Sequence, residues 1–273
     1  MFFTDVGFLT TILWNVSPVL VHIGPVPIRW YGLLFALGFL FGYAFMHGVY
    51  RREGKPLSDL DRLFFVVMAG ALLGARLGEV LFYNPSYFFH HPLEIVMIWN
   101  GGLASHGGIA GIFIALWIYA RKRPDQPFLW LLDRICIPAM IGAALIRLGN
   151  LFNSEILGTP THVPWAFVFV QEDLVPRHPV QLYEAGSYLL VFLVLLRLYR
   201  IQALGLPSGL LLGSALLASF LTRFFLEFLK LRQAAFGAAL PLSIGQILSI
   251  PIILLGAFLL VRAVRKKNGF TRR

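Results

Sequence analysis

Seven long apolar stretches govern what this chain can fold into, lying near residues 28–50, 61–83, 93–120, 129–152, 180–200, 207–230 and 242–262 of 273. Each approaches or exceeds the roughly 20 helical residues that cross a hydrocarbon core. Lipid offers the backbone no hydrogen-bond partners, so such stretches must satisfy their own peptide groups as helices. The expected fold class is therefore all-α: a polytopic membrane protein with seven transmembrane helices, residues 1–273 forming a single integral membrane domain. Within the third stretch, Asn100, Gly101, Gly102, Gly107 and Gly108 are candidates to break the helix or make part of it re-entrant. Composition agrees, with 58% hydrophobic residues and 13% charged, the latter about half the soluble norm.

The net charge of +10 would suggest a nucleic-acid partner in a soluble protein, but here the positions of the cations decide its meaning. One alternating set of connections carries Arg51, Arg52 and Lys55, then Arg121, Lys122 and Arg123, then Arg197 and Arg200, then Arg262, Arg265, Lys266, Lys267, Arg272 and Arg273. The other set has only Arg177 and Arg232, with Lys230 at the edge of a span. Lys and Arg accumulate in cytoplasmic loops, so the N-terminus is expected outside and the C-terminus inside. The basic tail then needs no nucleic acid. The single cysteine, Cys136, admits no intrachain disulfide and no Cys-rich metal site.

No positive region precedes the first apolar residues, so the N-terminus does not read as a cleavable signal peptide. Residues 1–27, with Trp14, Pro18, Pro25 and Pro27, read as an interfacial arm. Residues 153–179, punctuated by Pro160, Pro164, Pro176 and Pro179, read as a small extracytoplasmic cap.

The remaining cations fall within or at the ends of spans: Arg29, Arg62, Arg76, Arg134, Arg147 and Arg223. Arg62 and Arg134, near cytoplasmic ends, are expected to snorkel beside Asp61 and Asp133. The others, with Tyr31, Glu79, His106, Asn150, Gln181, Glu184, Glu227 and Gln246, fall toward the outer half of every helix once its direction is applied. That one-sided pattern favours a polar cavity open to the outer leaflet. It is rich in Arg, whose planar fork suits phosphate oxygens, so a phospholipid is the natural ligand. At this level an enzyme, a non-catalytic lipid-binding or lipid-translocating protein and a transporter of a small anion all remain open.

The run R-L-G-N-L-F-N-S-E-I-L-G from Arg147 to Gly158 closely resembles the signature of the bacterial prolipoprotein diacylglyceryl transferases. Four more segments match in order: I-R-W-Y-G-L at 28–33, G-G-L-A-S-H-G-G at 101–108, R-H-P-V-Q-L-Y-E at 177–184 and S-I-G-Q at 243–246. R-F-F-L-E-F at 223–228 is a weaker match. The resemblance implies an enzyme of the bacterial cytoplasmic membrane, facing the outer leaflet. Such an enzyme moves the diacylglyceryl group of phosphatidylglycerol onto the lipobox cysteine thiol of preprolipoproteins and releases glycerol phosphate. It implies no cofactor, no metal and no nucleic acid; the partners are phosphatidylglycerol and signal peptides bearing a lipobox cysteine.

On that resemblance the catalytic candidates are His106, Arg147 and Arg223. A neutral thiol is a weak nucleophile, and the leaving phosphate must take up a second negative charge, so base and cations are both needed. His106 is the base or a lipid-positioning residue, and the two arginines form a phosphate clamp. Tyr31, Asn150, Asn153, Glu155, Gly158, Gln181, Glu184, Glu227 and Gln246 are the substrate-binding candidates, with Gly158 also a candidate for a purely backbone demand. Three departures from the family pattern stand out. Ser219 occupies a position commonly Tyr, Leu231, Arg232 and Gln233 replace an acidic turn, and Glu79 replaces an aromatic residue.

Overall fold

In a computed structural model, residues 11–98, 101–202, 205–231 and 241–270 are described. The first ten residues of the expected arm, Asn100 in the third stretch, Arg232 and Gln233 after the sixth, and Arg272 and Arg273 lie outside them. The helices are α1 (Trp30–Arg52), α2 (Leu57–Gly78), α3 (Pro85–His90), α4 (Ser105–Arg121), α5 (Phe128–Phe152), α6 (Val180–Gln202), α7 (Leu210–Leu226) and α8 (Ile244–Phe270). Among the described residues, six segments are long and apolar enough to cross a membrane: Trp30–Arg52, Leu57–Tyr83, Phe128–Phe152, Val180–Ile201, Leu210–Leu229 and Ile244–Lys266. The chain is thus a mostly helical, polytopic membrane protein.

The third apolar stretch does not form one long helix. It begins with a 3-10 turn, Pro92–Val96, and becomes helical only as the 17-residue α4. Gly101 and Gly102 have φ of 86° and 70°, a left-handed conformation that glycine adopts without a Cβ penalty. Their carbonyls turn toward Arg76, whose Nη1 donates to Gly101 O at 2.7 Å and Gly102 O at 3.0 Å. Arg76 Nε donates to Ile95 O at 2.9 Å, and Nη2 to Glu94 O. Arg76 was expected to line a ligand cavity; its guanidinium instead serves as the hydrogen-bonding centre of the loop that interrupts the third stretch.

Short strands add to the helices. In β2 (Val19–Ile23) and β3 (Val26–Arg29) the expected arm forms an antiparallel hairpin, while β1 (Ile12–Trp14) runs parallel to β4 (Phe167–Phe169), which pairs antiparallel with β5 (Pro176–Arg177). Arg29, read as lying in the first span, is therefore the exposed last residue of β3. Residues 153–179 carry β4 and β5, and their core joins Phe167 and Phe169 to Leu151, Trp14, Leu157 and Leu182. The Trp14 indole N–H donates to Leu151 O at 3.0 Å, fastening β1 to the C-terminal end of α5.

The chain divides into two compact units, one of residues 1–45 and 133–273, the other of residues 46–132. In the first, α7 and α8 meet at small residues. A Cβ on Gly213 would stand 2.8 Å from Leu260 N, and one on Gly256 2.7 Å from Leu217 N, a contact only glycine permits and a common route to close helix packing in lipid. The start of α7 is held from α5: Asp133, fully buried, accepts from Gly209 N at 2.7 Å and Leu212 N at 2.9 Å. It thereby satisfies N–H groups that every helix start leaves without intrahelical partners. Arg134 is 5% exposed, so neither residue is the surface snorkelling pair expected from sequence.

In the second unit, α2 and α4 cross closely along Gly70, Gly74 and Gly78 of one helix and Gly107 and Gly111 of the other. Below that crossing a buried polar group ties the loops together. Tyr50 donates to Gln126 Oε1 at 2.6 Å, Gln126 Nε2 to Asp59 Oδ2 at 3.1 Å, and Arg123 lies 3.0 Å from Asp59 Oδ1. Arg62 also lies 3.8 Å from Asp59.

Candidate active site

Four helix ends of the first unit converge in sequence logic and in space. The C-terminal end of α5 contributes Arg147 and Asn150, three residues apart and so on one helical face. The N-terminal end of α6 brings Gln181 and Glu184, again three apart. The C-terminal end of α7 brings Arg223 and Glu227, and the N-terminal end of α8 brings Gln246.

Glu184 is the hub. It is 1% exposed, with Oε2 3.0 Å from Arg147 Nε and Oε1 accepting from Lys230 Nζ at 2.8 Å. Lys230 also lies 3.1 Å from Glu227 Oε2, and Glu227 Oε1 accepts from Ser243 Oγ at 3.1 Å. Gln246 closes this side, with Oε1 taking Ser243 N at 2.9 Å and Nε2 donating to Phe224 O at 3.2 Å. On the other side Arg147 Nη1 donates to Asn150 Oδ1 at 3.3 Å, and Asn150 Nδ2 to Glu155 Oε2 at 2.9 Å. Asn153 Nδ2 reaches Glu155 Oε1 at 3.2 Å, and Gln181 Nε2 donates to Glu155 O at 2.6 Å. One chain of polar contacts thus runs from Asn153 to Gln246. The network is held largely by ion pairs: Asn153 Oδ1, Gln181 Oε1, Glu184 Oε2 and Glu227 Oε2 are buried without a described hydrogen-bond partner, so a charge stripped of its counter-ion here is costly.

Backbone strain marks the same place. Ser154 and Ile156, flanking Glu155, have φ of 53° and 57°, which is unusual outside glycine and most so for β-branched Ile156. Each such residue costs about 1–3 kcal/mol and persists where its surroundings dictate it. The two turns aim the Glu155 carboxylate at both asparagines and its carbonyl at Gln181.

Gly149 and Gly158 serve close packing. A Cβ on Gly149 would lie 2.7 Å from Tyr31 Cδ2, so Tyr31 of α1 is laid directly on α5. A Cβ on Gly158 would lie 2.7 Å from Val180 Cγ2, and Gly158 bridges to Lys230 through the backbone pairing of residues 157–159 with 229–231. Gly158 therefore places Lys230 beside Glu184. Arg177 holds the cap: it donates to Gly158 O at 3.2 Å and through Nε to Asp173 Oδ1 and Oδ2 at 3.2 and 3.1 Å. The hydrogen bond from Arg177 holds the Asp173 carboxyl below its ordinary range.

Arg223 pairs with none of the described acids, although Glu227 lies one turn away. Glu227 is occupied by Lys230 and Ser243 instead. Lys230 is the residue sequence reasoning passed over, because it was counted with the loop charges. The signal was the Glu-x-x-Lys spacing of Glu227 and Lys230 at a helix exit. Ser219, one turn before Arg223, is 6% exposed, and its hydroxyl lies 3.2 Å from Met140 Sδ.

His106 belongs to the second unit, in the first turn of α4. It is exposed on a cavity of about 320 Å³ lined also by Gly78, Phe82, Tyr83, Ala104, Gly107 and Ala110. Glu79 accepts from Asn84 Nδ2 at 2.7 Å, a local contact at the turn that follows α2.

A helical membrane protein with a buried arginine and carboxylate network at its helix ends is a class suited to acidic lipid substrates. Comparison narrows it: the family model described as prolipoprotein diacylglyceryl transferase matches residues 18–262, and the chain belongs to that family. It is 52% identical over 255 residues to a phosphatidylglycerol–prolipoprotein diacylglyceryl transferase of Chloroherpeton thalassium, covering 93% of this chain and 95% of that protein. A protein of the same name from Tolumonas auensis is 45% identical, covering 94% and 99%. One from Porphyromonas gingivalis is 44% identical, covering 96% and 97%.

Proposed function

We propose that this chain transfers the diacylglyceryl group of phosphatidylglycerol to the lipobox cysteine thiol of a preprolipoprotein, working at the outer leaflet of a bacterial cytoplasmic membrane. The thiolate sulfur attacks the glyceryl carbon that bears the phosphate ester. A C–S thioether forms, the C–O bond breaks, and its electron pair leaves on the phosphate oxygen of glycerol phosphate. The thiol proton goes to a base and ends on solvent or the leaving group.

The observation that carries this reading is the division of labour between Arg147 and Arg223. Glu184 fixes Arg147 through Nε, and Asn150 takes one Nη1 proton, while no described acceptor is hydrogen-bonded to Nη2. Arg223 has no described acid partner, because Lys230 already neutralises Glu227. Both guanidinium groups thus retain donors for phosphate oxygens, and in a dry site pre-oriented cations stabilise charge as it develops. Glu155, Asn150, Asn153, Gln181 and Tyr31 order the donor side, Gly158 supplies the close backbone turn, and Glu184, Glu227 and Gln246 hold the cations and helix ends. The role left for His106 is that of base or lipid-positioning residue.

The topology in this reading has seven spans, with α4 and its preceding loop completing the third crossing, the N-terminus outside, residues 11–27 as an interfacial arm and 153–179 as an outer cap. All helix ends of the Arg147 network then lie at the outer face, where a lipobox cysteine emerges just beyond its signal peptide.

The test is direct. Purified full-length chain, phosphatidylglycerol vesicles and a lipobox peptide are incubated, and the peptide is weighed. A gain of one diacylglyceryl group on the cysteine supports the transfer. Lipid binding with an unmodified peptide would favour the non-catalytic lipid-binding reading.

A further inference from the structure

A second feature of unit two lies at the end of the α2 and α4 pair remote from His106. There the N-terminal end of α2 and the C-terminal end of α4 enclose an open groove of about 540 Å³ lined by Asp61, Arg62, Phe65, Val66, Ile118, Tyr119, Lys122 and Arg123. Its walls are apolar and outward-facing, with Phe65 74% and Ile118 48% exposed. Its rim is cationic. Arg123 is committed to Asp59 at 3.0 Å, but Arg62 is 3.8 Å from the same carboxylate with its side chain 66% exposed. Lys122 is exposed beside them. Three rim cations face one rim carboxylate, Asp61, and the shared Asp59, so a positive excess sits directly above a hydrocarbon-facing trough.

A trough with both features is complementary to one class of molecule: an acyl chain along Phe65, Val66 and Ile118, with its acidic headgroup among Arg62 and Lys122. We infer that this groove is a binding site for an anionic phospholipid, separate from the transfer site. Cations near an anionic lipid surface attract its headgroups, and Arg62 and Lys122 together outweigh Asp61 on the rim, so the groove favours an acidic over a zwitterionic lipid. The apolar walls add burial of the chain, which makes the site selective by groove as well as by charge. No residue of the groove belongs to the Arg147 network, so transfer does not depend on the headgroup contacts.

The probe is phosphatidic acid carrying a diazirine on one acyl chain, at low fraction in phosphatidylcholine nanodiscs holding the full-length protein. It lacks the glycerol headgroup of the donor lipid, which keeps the result apart from the transfer reading. After irradiation, adducts are mapped by peptide mass spectrometry. They are expected on the segments containing Phe65 and Ile118, about tenfold above those from the matching phosphatidylcholine probe. Arg62→Gln with Lys122→Gln is expected to lower them about tenfold while the transfer rate stays at the parent value. Val66→Trp keeps every charge but fills the trough, and it too is expected to abolish labelling. Equal labelling by both lipids would overturn the site, as would labelling indifferent to the double variant. Labelling that responds to charge but survives Val66→Trp would reduce it to general surface attraction and overturn the groove.

Discussion

Arg147 and Glu184 meet at 3.0 Å between Nε and Oε2, with the carboxylate only 1% exposed. Because the other Glu184 oxygen holds Lys230, one carboxylate on α6 fixes the positions of two cations from two other segments of the chain. Glu184→Gln leaves both cations without their shared anion. Breaking a buried pair costs about 3–5 kcal/mol, offset in part because Lys230 retains Glu227 and Arg147 retains Asn150. A loss of about 2 kcal/mol in thermal unfolding is expected, together with a fall in transfer of about a hundredfold. Parent-like transfer in this variant would show that the bridge does not position Arg147.

Ser154 combines a left-handed backbone with a buried hydroxyl that has no described hydrogen-bond partner. Ser154→Gly removes both penalties, against the extra chain entropy of glycine in the unfolded state. A net stabilisation of about 1 kcal/mol is expected in denaturant or thermal melts. A loss of stability would mean that the conformation around Glu155 is not strained.

Clamp and base separate by pH. Arg147→Lys keeps the charge and its attraction to Glu184 but loses the planar fork, so turnover should fall more than affinity for the lipid. His106→Gln should be slow at neutral pH and regain part of its rate as the peptide thiol ionises unaided at higher pH. No such recovery is expected for Arg147→Lys. A parent-like pH profile in His106→Gln would remove the base role.

The cap has its own pH dependence. The Asp173 carboxyl is held below its ordinary value of 3.8 by Arg177, so the folded cap binds this proton less readily than the unfolded chain. The stabilisation is therefore complete above 3.8 and fades as pH falls through the lower folded-state value. Protease nicking of residues 160–176 should accelerate below pH 4 in the parent. Asp173→Asn should nick faster than the parent at neutral pH and show a flatter acid response; identical profiles would rule out the pair as the cap's clasp.

Much of this architecture was legible because lipid leaves the chain few options. Arg147 with Asn150, Gln181 with Glu184 and Arg223 with Glu227 stand three or four residues apart at the ends of apolar runs, and periodicity alone puts each pair on one face. Partner choice was not legible. Glu155 is the acid nearest Arg147 in sequence and Glu227 the one nearest Arg223, whereas Glu184 takes Arg147 and Lys230 takes Glu227. These exchanges depend on the pairing of residues 157–159 with 229–231, a long-range contact that no local pattern announces. Arg76 and Asp133 were misread for a related reason. Both are charged groups inside apolar runs, which look functional or superficial in sequence, yet their hydrogen-bonding capacity is spent on backbone groups of distant segments. The hairpin at β2 and β3 escaped notice because its Pro-rich residues carry the hydrophobicity of a membrane arm without a clear alternation.

The most direct test of the transfer account is product stoichiometry in a single reaction of the full-length chain with phosphatidylglycerol and a lipobox peptide. One glycerol phosphate should appear for each modified cysteine, and the new bond should resist hydroxylamine as a thioether does. Release of lysolipid with a hydroxylamine-labile peptide would mean acyl transfer through a thioester, and would contradict the displacement at the glyceryl carbon that Arg147 and Arg223 are placed to support.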